Sequence, residues 1–182
     1  MSYSQRIYAG SISRSSPSPN KWVAPPAGLV KINTDASLAD EGVVGLGAVA
    51  RDTEGRVLFS VVRRTRAWWP SDIAEAKAIH MAILWAKKQG LRSVIIESDA
   101  QVIVSRLARA SIFFSDLDSI LGDILSLCSF FHDISFSHVR RDENFVAHHL
   151  AKVVPFGYEQ CWVNHCPNVV SPYVLMDVLS LD

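Results

Sequence analysis

Three acidic residues sit where apolar segments begin or end: Asp35 closes an alternating run, Glu75 lies near the start of a helical pattern, and Asp99 closes a buried-type run. Carboxylates gathered in one place repel unless cations neutralise them, and hard oxygen ligands on rigid elements suit Mg²⁺ or Mn²⁺. Hydrolysis of a phosphodiester by two metal ions needs such an arrangement. Each acid also has a plainer reading. Asp35 would be a turn former before Ala36-Ser37, Glu75 a favourable charge at a helix N-terminus, and Asp99 the N-cap of the following helix. Whether the three carboxylates meet separates the readings.

The elements that must position them follow from periodicity. Residues 29–35, Leu-Val-Lys-Ile-Asn-Thr-Asp, alternate apolar and polar; residues 43–51 are a run of small residues and valine; residues 56–64 are again strand-like, after the turn chemistry of Asp52-Thr-Glu-Gly55. Three strands joined by tight turns form an antiparallel meander. Ser71 or Asp72 caps a helix whose apolar residues Ile73, Ala76, Ile79, Ile83, Leu84 and Ala86 recur at helical spacing until Gly90. A buried strand at residues 94–99 precedes a short helix at 100–108. A helix at about 116–130, a strand at 134–139 and a last helix at about 143–152 complete the order βββαβααβα. This is an α/β fold with one mixed five-stranded sheet, the first three strands antiparallel, and helices on both faces. If the first and fourth strands are neighbours, their C-terminal ends bring Asp35 beside Asp99, and the first helix drops Glu75 between them.

Composition bounds the rest. The chain has 182 residues, 49% hydrophobic and 20% charged, which suits one globular domain with extra tail. Eighteen basic residues balance eighteen acidic ones, so any nucleic-acid contact must come from a local patch. Three cysteines, Cys128, Cys161 and Cys166, give no even disulfide framework, and no apolar run approaches the roughly 18 residues of a membrane span. The expectation is an intracellular monomer of nucleus or cytoplasm with no membrane partner. Residues 1–21 read as a disordered leader: the first twenty hold seven serines, two prolines, Arg6 and Arg14 and no acid, which also suits organelle import. The domain spans 22–154, and residues 155–182 form a tail that packs on it or stays partly ordered.

Five segments in register resemble the ribonuclease H type 1 family, and within it the plant reverse-transcriptase-like domains related to retroelement ribonuclease H. They are Lys31-Ile-Asn-Thr-Asp35-Ala-Ser37, Gly45-Leu-Gly47-Ala-Val49-Ala-Arg51-Asp52-Thr-Glu-Gly55, Ala74-Glu75-Ala76, Glu97-Ser-Asp99-Ala and Arg141-Asp-Glu-Asn144-Phe-Val-Ala147-His-His-Leu150-Ala151. The resemblance implies a ribonuclease H-like fold and hydrolysis of the RNA strand of an RNA/DNA hybrid, with Mg²⁺ or Mn²⁺, two ions when substrate is bound. It assigns the metal to Asp35, Glu75 and Asp99, and contact with RNA 2′-hydroxyls to the backbone around Ala36, Ser37 and Glu75, with Asn144 also on the nucleic-acid side.

The sequence departs from the family pattern in three places. His148 stands where a fourth carboxylate follows Asn-x-x-Ala, and is carried as a catalytic and metal-binding candidate that would favour Mn²⁺ over Mg²⁺; the plainer reading is an exposed helix histidine beside His149. Arg141 takes the place of a loop histidine and, with Arg140, would contact phosphate or remain a solvated loop charge. The basic aromatic handle is missing between Arg109 and Asp116, leaving Lys87 and Lys88 as a small substitute, so hybrid affinity should be low and salt-dependent. The alternative to a nuclease is a module that keeps the fold, has weakened chemistry through His148, and binds nucleic acid or protein. Among lesser candidates, Cys161, His165 and Cys166 lack a second ligand pair for zinc. Trp68-Trp69-Pro70 either stacks bases or packs a strand-to-helix corner.

Overall fold

In the computed structural model, residues 21–111 and 114–181 are described. The expected leader therefore lies, apart from Lys21, outside the described residues.

Alternation divides the first strand, β1 (Val30–Ala39), between two layers. Ile32 and Ala36 pack into the larger core, whereas Asn33 and Asp35 face the opposite side. β2 (Val43–Arg51) and β3 (Val57–Arg66) continue an antiparallel meander, with Asp35 opposite Gly47 in the β1–β2 register. β4 (Ser93–Ser98) lies parallel to β1, and β5 (Asp133–His138) parallel to β4. The neighbourhood of first and fourth strands on which the acidic site depends is thus present.

The sheet has six strands in the order β5-β4-β1-β2-β3-β6, one more than the sequence suggests. The addition is β6 (Glu159–Val163), drawn from the C-terminal segment and antiparallel to β3 along its free edge. Covering that edge satisfies a row of backbone groups that would otherwise template other chains.

One face is covered by α1 (Ser71–Lys88), α2 (Gln101–Ala108) and α3 (Asp116–Leu127). α1 buries a surface rich in alanine together with Ile79, Met81 and Ile83, which lets it lie close to the sheet. The other face carries α4 (Phe145–Leu150), preceded by a 3₁₀ turn at Arg141–Glu143, and α5 (Ser171–Val178), around Val49, Val62, Val146, Leu150 and Val170. No helix among the described residues is long and apolar enough to cross a membrane.

Candidate active site

The plainer roles of the three acids do not survive the geometry. Asp35 lies inside a ten-residue strand rather than at a turn. α1 begins at Ser71 behind Pro70 without a side-chain cap, so Asp72 occupies its first turn and Glu75 falls one turn further in, directed at the sheet instead of serving the helix end. Asp99 does not cap α2: its N-cap is Ala100, and the local bond is from the Ala100 N–H to Ser98 Oγ at 3.1 Å. All three carboxylates are left to face one another. One oxygen from each of Asp35, Glu75 and Asp99 lies within 4.8 Å of the others, a grouping of potential metal-ligating residues that is unique among those described.

Such proximity has an electrostatic consequence. At an effective dielectric near 20, two unit charges about 4 Å apart repel by about 4 kcal/mol. Burial, followed by the charges of Asp35 and Asp99, pushes the Glu75 carboxyl up to about 9. Asp35 is raised by burial and by Asp99, and held back by its hydrogen bond with His148. The Ala36 backbone N–H opposes part of the rise at both carboxyls. Glu75 Oε2 is nevertheless buried without any hydrogen-bond partner. A buried acceptor lacking a donor, within a cluster of carboxylate oxygens, fits a hard divalent cation such as Mg²⁺ or Mn²⁺. Asp35, Glu75 and Asp99 are the residues that would hold it.

The remaining candidates surround this cluster. His148, partly exposed on α4, sets Nδ1 at 2.8 Å from Asp35 Oδ2, so the structure brings it to the site as a partner of Asp35. Arg141 is exposed and places Nε 3.5 Å from Asp99 Oδ2, and neighbouring Arg140 is exposed as well. Ala36 and Ser37 continue β1 past Asp35 and are half-buried. Asn144, expected on the nucleic-acid side, is 1% exposed, and its Nδ2 donates to the Thr34 carbonyl at 2.9 Å, pinning the start of α4 to the strand that carries Asp35.

α4 reaches this position because β2 has no side chain at two points beneath it. A Cβ on Gly45 would stand 1.9 Å from the Ala151 carbonyl oxygen, and one on Gly47 2.5 Å from the Ala151 nitrogen. The spacing Gly45-Leu-Gly47 was therefore a readable sign of close helix–strand approach, although not of which helix. Residues singled out elsewhere fall away from the cluster. Trp69 packs against the main core and Trp68 is 83% exposed. Lys87 and Lys88 lie over the rings of Phe130 and Trp85, 5.3 and 4.2 Å from their centroids. Cys161 sits on β6, and Cys166 is buried in the smaller core.

The fold and its relatives agree. The N-terminal RNase H domain of rv2228c from Mycobacterium tuberculosis, solved as a fusion with maltose-binding protein, has a TM-score of 0.62 and 24% identity, covering 68% of this chain and 91% of that one. RNase H1 from Halobacterium salinarum NRC-1 gives 0.61 and 22%, covering 68% and 94%. LC11-RNase H1, solved with an RNA/DNA hybrid, gives 0.60 and 20%, covering 66% and 92%. No curated protein matches the chain. These likenesses make the fold ribonuclease H-like. The reverse transcriptase-like family model matches residues 33–154, a span that contains all three clustered acids, His148 and the glycine pair beneath α4, and the chain belongs to that family.

Proposed function

We propose that this chain is a divalent-cation-dependent ribonuclease H-like hydrolase that cuts the RNA strand of RNA/DNA hybrids. The observation that carries the reading is the convergence of Asp35 on β1, Glu75 on α1 and Asp99 just past β4, with one Glu75 oxygen buried and unpartnered. Family membership and a relative solved with an RNA/DNA hybrid support it. Bound Mg²⁺ or Mn²⁺ supplies Lewis-acid stabilisation of the phosphoryl oxygens and a water of lowered pKa. Three carboxylates with one scissile phosphate match the charge of two such ions, so two are proposed in the substrate complex.

The protein's own contribution is placement. Asn144 fixes α4 so that His148 meets Asp35. Arg141 beside Asp99, with Arg140, presents guanidinium groups to the backbone phosphates. The backbone of β1 at Ala36 and Ser37 meets the RNA 2′-hydroxyls.

A second reading has its own observation: His148 occupies Asp35 Oδ2, an oxygen that a cation would otherwise take. On that reading the chain binds hybrid and cleaves it poorly. The experiment incubates purified protein with labelled RNA/DNA hybrid at low salt, in Mg²⁺ and separately in Mn²⁺, with Asp35→Asn as control. Cleavage confined to the RNA strand and lost in the variant is the expected result. Binding without cleavage would favour the second reading, and neither would leave the fold without a nucleic-acid role.

A further inference from the structure

Next to the acidic cluster, the same side of the sheet carries buried charges that the proposed chemistry does not use. Lys31 and Asn33 precede Asp35 at two-residue steps on β1, so alternation puts the three side chains on one face. Glu97 stands two residues before Asp99, and Asn33 and Glu97 are partners in the parallel β1–β4 register. Asn33 Nδ2 donates to Glu97 Oε2 at 2.9 Å, and Lys31 Nζ pairs with Glu97 Oε1 at 2.8 Å. From β2, Arg51 Nη2 donates to Asn33 Oδ1 at 3.2 Å, and Trp22 Nε1 donates to the same oxygen at 3.0 Å. The Arg51 guanidinium lies 3.9 Å from the centroid of the Trp22 ring.

The last charge arrives from the far end of the chain. Asp177 on α5 places Oδ2 2.6 Å from Arg51 Nη1. With it, Lys31 and Arg51 are balanced by Glu97 and Asp177; without it, a buried guanidinium keeps a charge it cannot shed. Arg51 is 1% exposed, and its Nε already lacks a partner. Trp22 and Asp177 both lie outside residues 33–154, so the two segments flanking the family-matched region meet on one arginine.

We propose that Asp177 is a positioning residue: the C-terminal helix clasps Arg51 and, through Asn33 and Glu97, sets β1 and β4 so that Asp35 and Asp99 stand at the separation a divalent cation requires. The proposal rests on reading the acidic cluster as a cation site. Asn33 and Glu97 are each one side-chain step from an acid of that cluster. A change in how they meet displaces Asp35 relative to Asp99 along stiff, hydrogen-bonded strands. Partners that orient metal ligands from outside the coordination sphere typically contribute 10- to 100-fold in metal affinity.

The test uses the full chain and Mn²⁺ alone as probe. Calorimetric titration compares wild type, Asp177→Asn and Asp177→Glu, with amide hydrogen exchange followed at residues 32–35 and 96–98. The expected result is Mn²⁺ affinity lowered about tenfold or more in Asp177→Asn, faster exchange at those amides, and recovery of both in Asp177→Glu. Should Asp177→Asn fail to fold, Arg51→Met combined with Asp177→Leu removes both charges together. That variant is expected to fold and still bind Mn²⁺ weakly. Wild-type affinity in the folded variant overturns the clasp. If wild type takes up no Mn²⁺, the cation reading falls, and exchange still decides the clasp: faster strand exchange in the variant supports it, and unchanged exchange overturns it.

Discussion

Glu75 is where the cost of the site is concentrated, because burial and two neighbouring carboxylates all oppose its ionisation. A carboxyl raised from 4.5 to about 9 on folding binds more protons in the native state than in the unfolded one. Its contribution to stability is therefore complete below the unfolded value and is lost as pH rises toward the folded one. Cation-free protein should lose melting temperature between about pH 5 and pH 9, whereas Glu75→Gln should flatten that decline and melt higher than wild type at pH 8. Calorimetry in a chelator reads both, and a wild-type profile as flat as the variant's would refute the assignment. Added Mn²⁺ should raise the melting temperature of wild type and leave Glu75→Gln nearly unmoved. His148→Asp separates charge from geometry at the same spot. It sets a further carboxylate against Asp35, so cation-free protein should melt lower, while Mn²⁺ affinity and hybrid cleavage should rise. A variant that gains nothing with Mn²⁺ would show that the imidazole is not what limits the site. The three acids were legible because each terminates or opens an apolar element in an order that permits convergence. The role of Asn144 was not, since its bond to the Thr34 carbonyl depends on where α4 lands over the sheet.

At the scale of elements, α4 and β2 are matched by omission. Gly45 and Gly47 leave room for the backbone of residues 147–151, and the added Cβ of Gly47→Ala would meet the Ala151 nitrogen at 2.5 Å and the Ala147 oxygen at 2.8 Å. These are backbone atoms that cannot swing aside, so the helix must lift. Overpacking of this kind costs about 1–3 kcal/mol, and lifting α4 draws His148 from Asp35. Gly47→Ala is thus expected to lower the melting temperature by several degrees and to weaken Mn²⁺ binding together, in thermal melts and titration of the same sample. A variant that melts lower but binds Mn²⁺ like wild type would mean that α4 stiffens the fold without setting the site. The meander and the β4 strand were readable because their periodicity is local, and β2 begins and ends where the pattern places it. β6 was missed for a physical reason. Its five residues, Glu159–Val163, show no clean alternation, and their partners on β3 lie roughly a hundred positions earlier in the chain, so only tertiary pairing makes them a strand. α4 is shorter than the helix expected at about 143–152, because Lys152 and Val153 donate to the carbonyls three residues back and tighten the turn beneath which Gly45 sits.

For the whole molecule, eighteen basic and eighteen acidic side chains leave no long-range field to gather a polyanion. Affinity for hybrid must come from cations placed at the site, where Arg141 lies beside Asp99 and its chain neighbour Arg140 is also exposed. Two phosphate contacts give a log–log salt slope of about −1.8, or roughly a tenfold loss of affinity between 50 and 200 mM salt, against 10³ or more for a protein making six to ten contacts. Fluorescence anisotropy with labelled hybrid on Asp35→Asn protein, which removes cleavage, measures the slope directly. Replacing Arg141 with alanine should make it shallower by about 0.9 and weaken binding alike for hybrids of different sequence, because a phosphate contact carries no base information. A slope steeper than about −5 would sink the two-arginine account and place further basic contacts along the bound duplex. A slope near the expected value means that the two arginines supply the phosphate contacts when the cluster is impaired, so any tighter binding by wild type comes from the cation cluster itself. That tighter binding would then depend on Mg²⁺ or Mn²⁺ as strongly as cleavage does, and chelation should release the hybrid as well as stop the reaction.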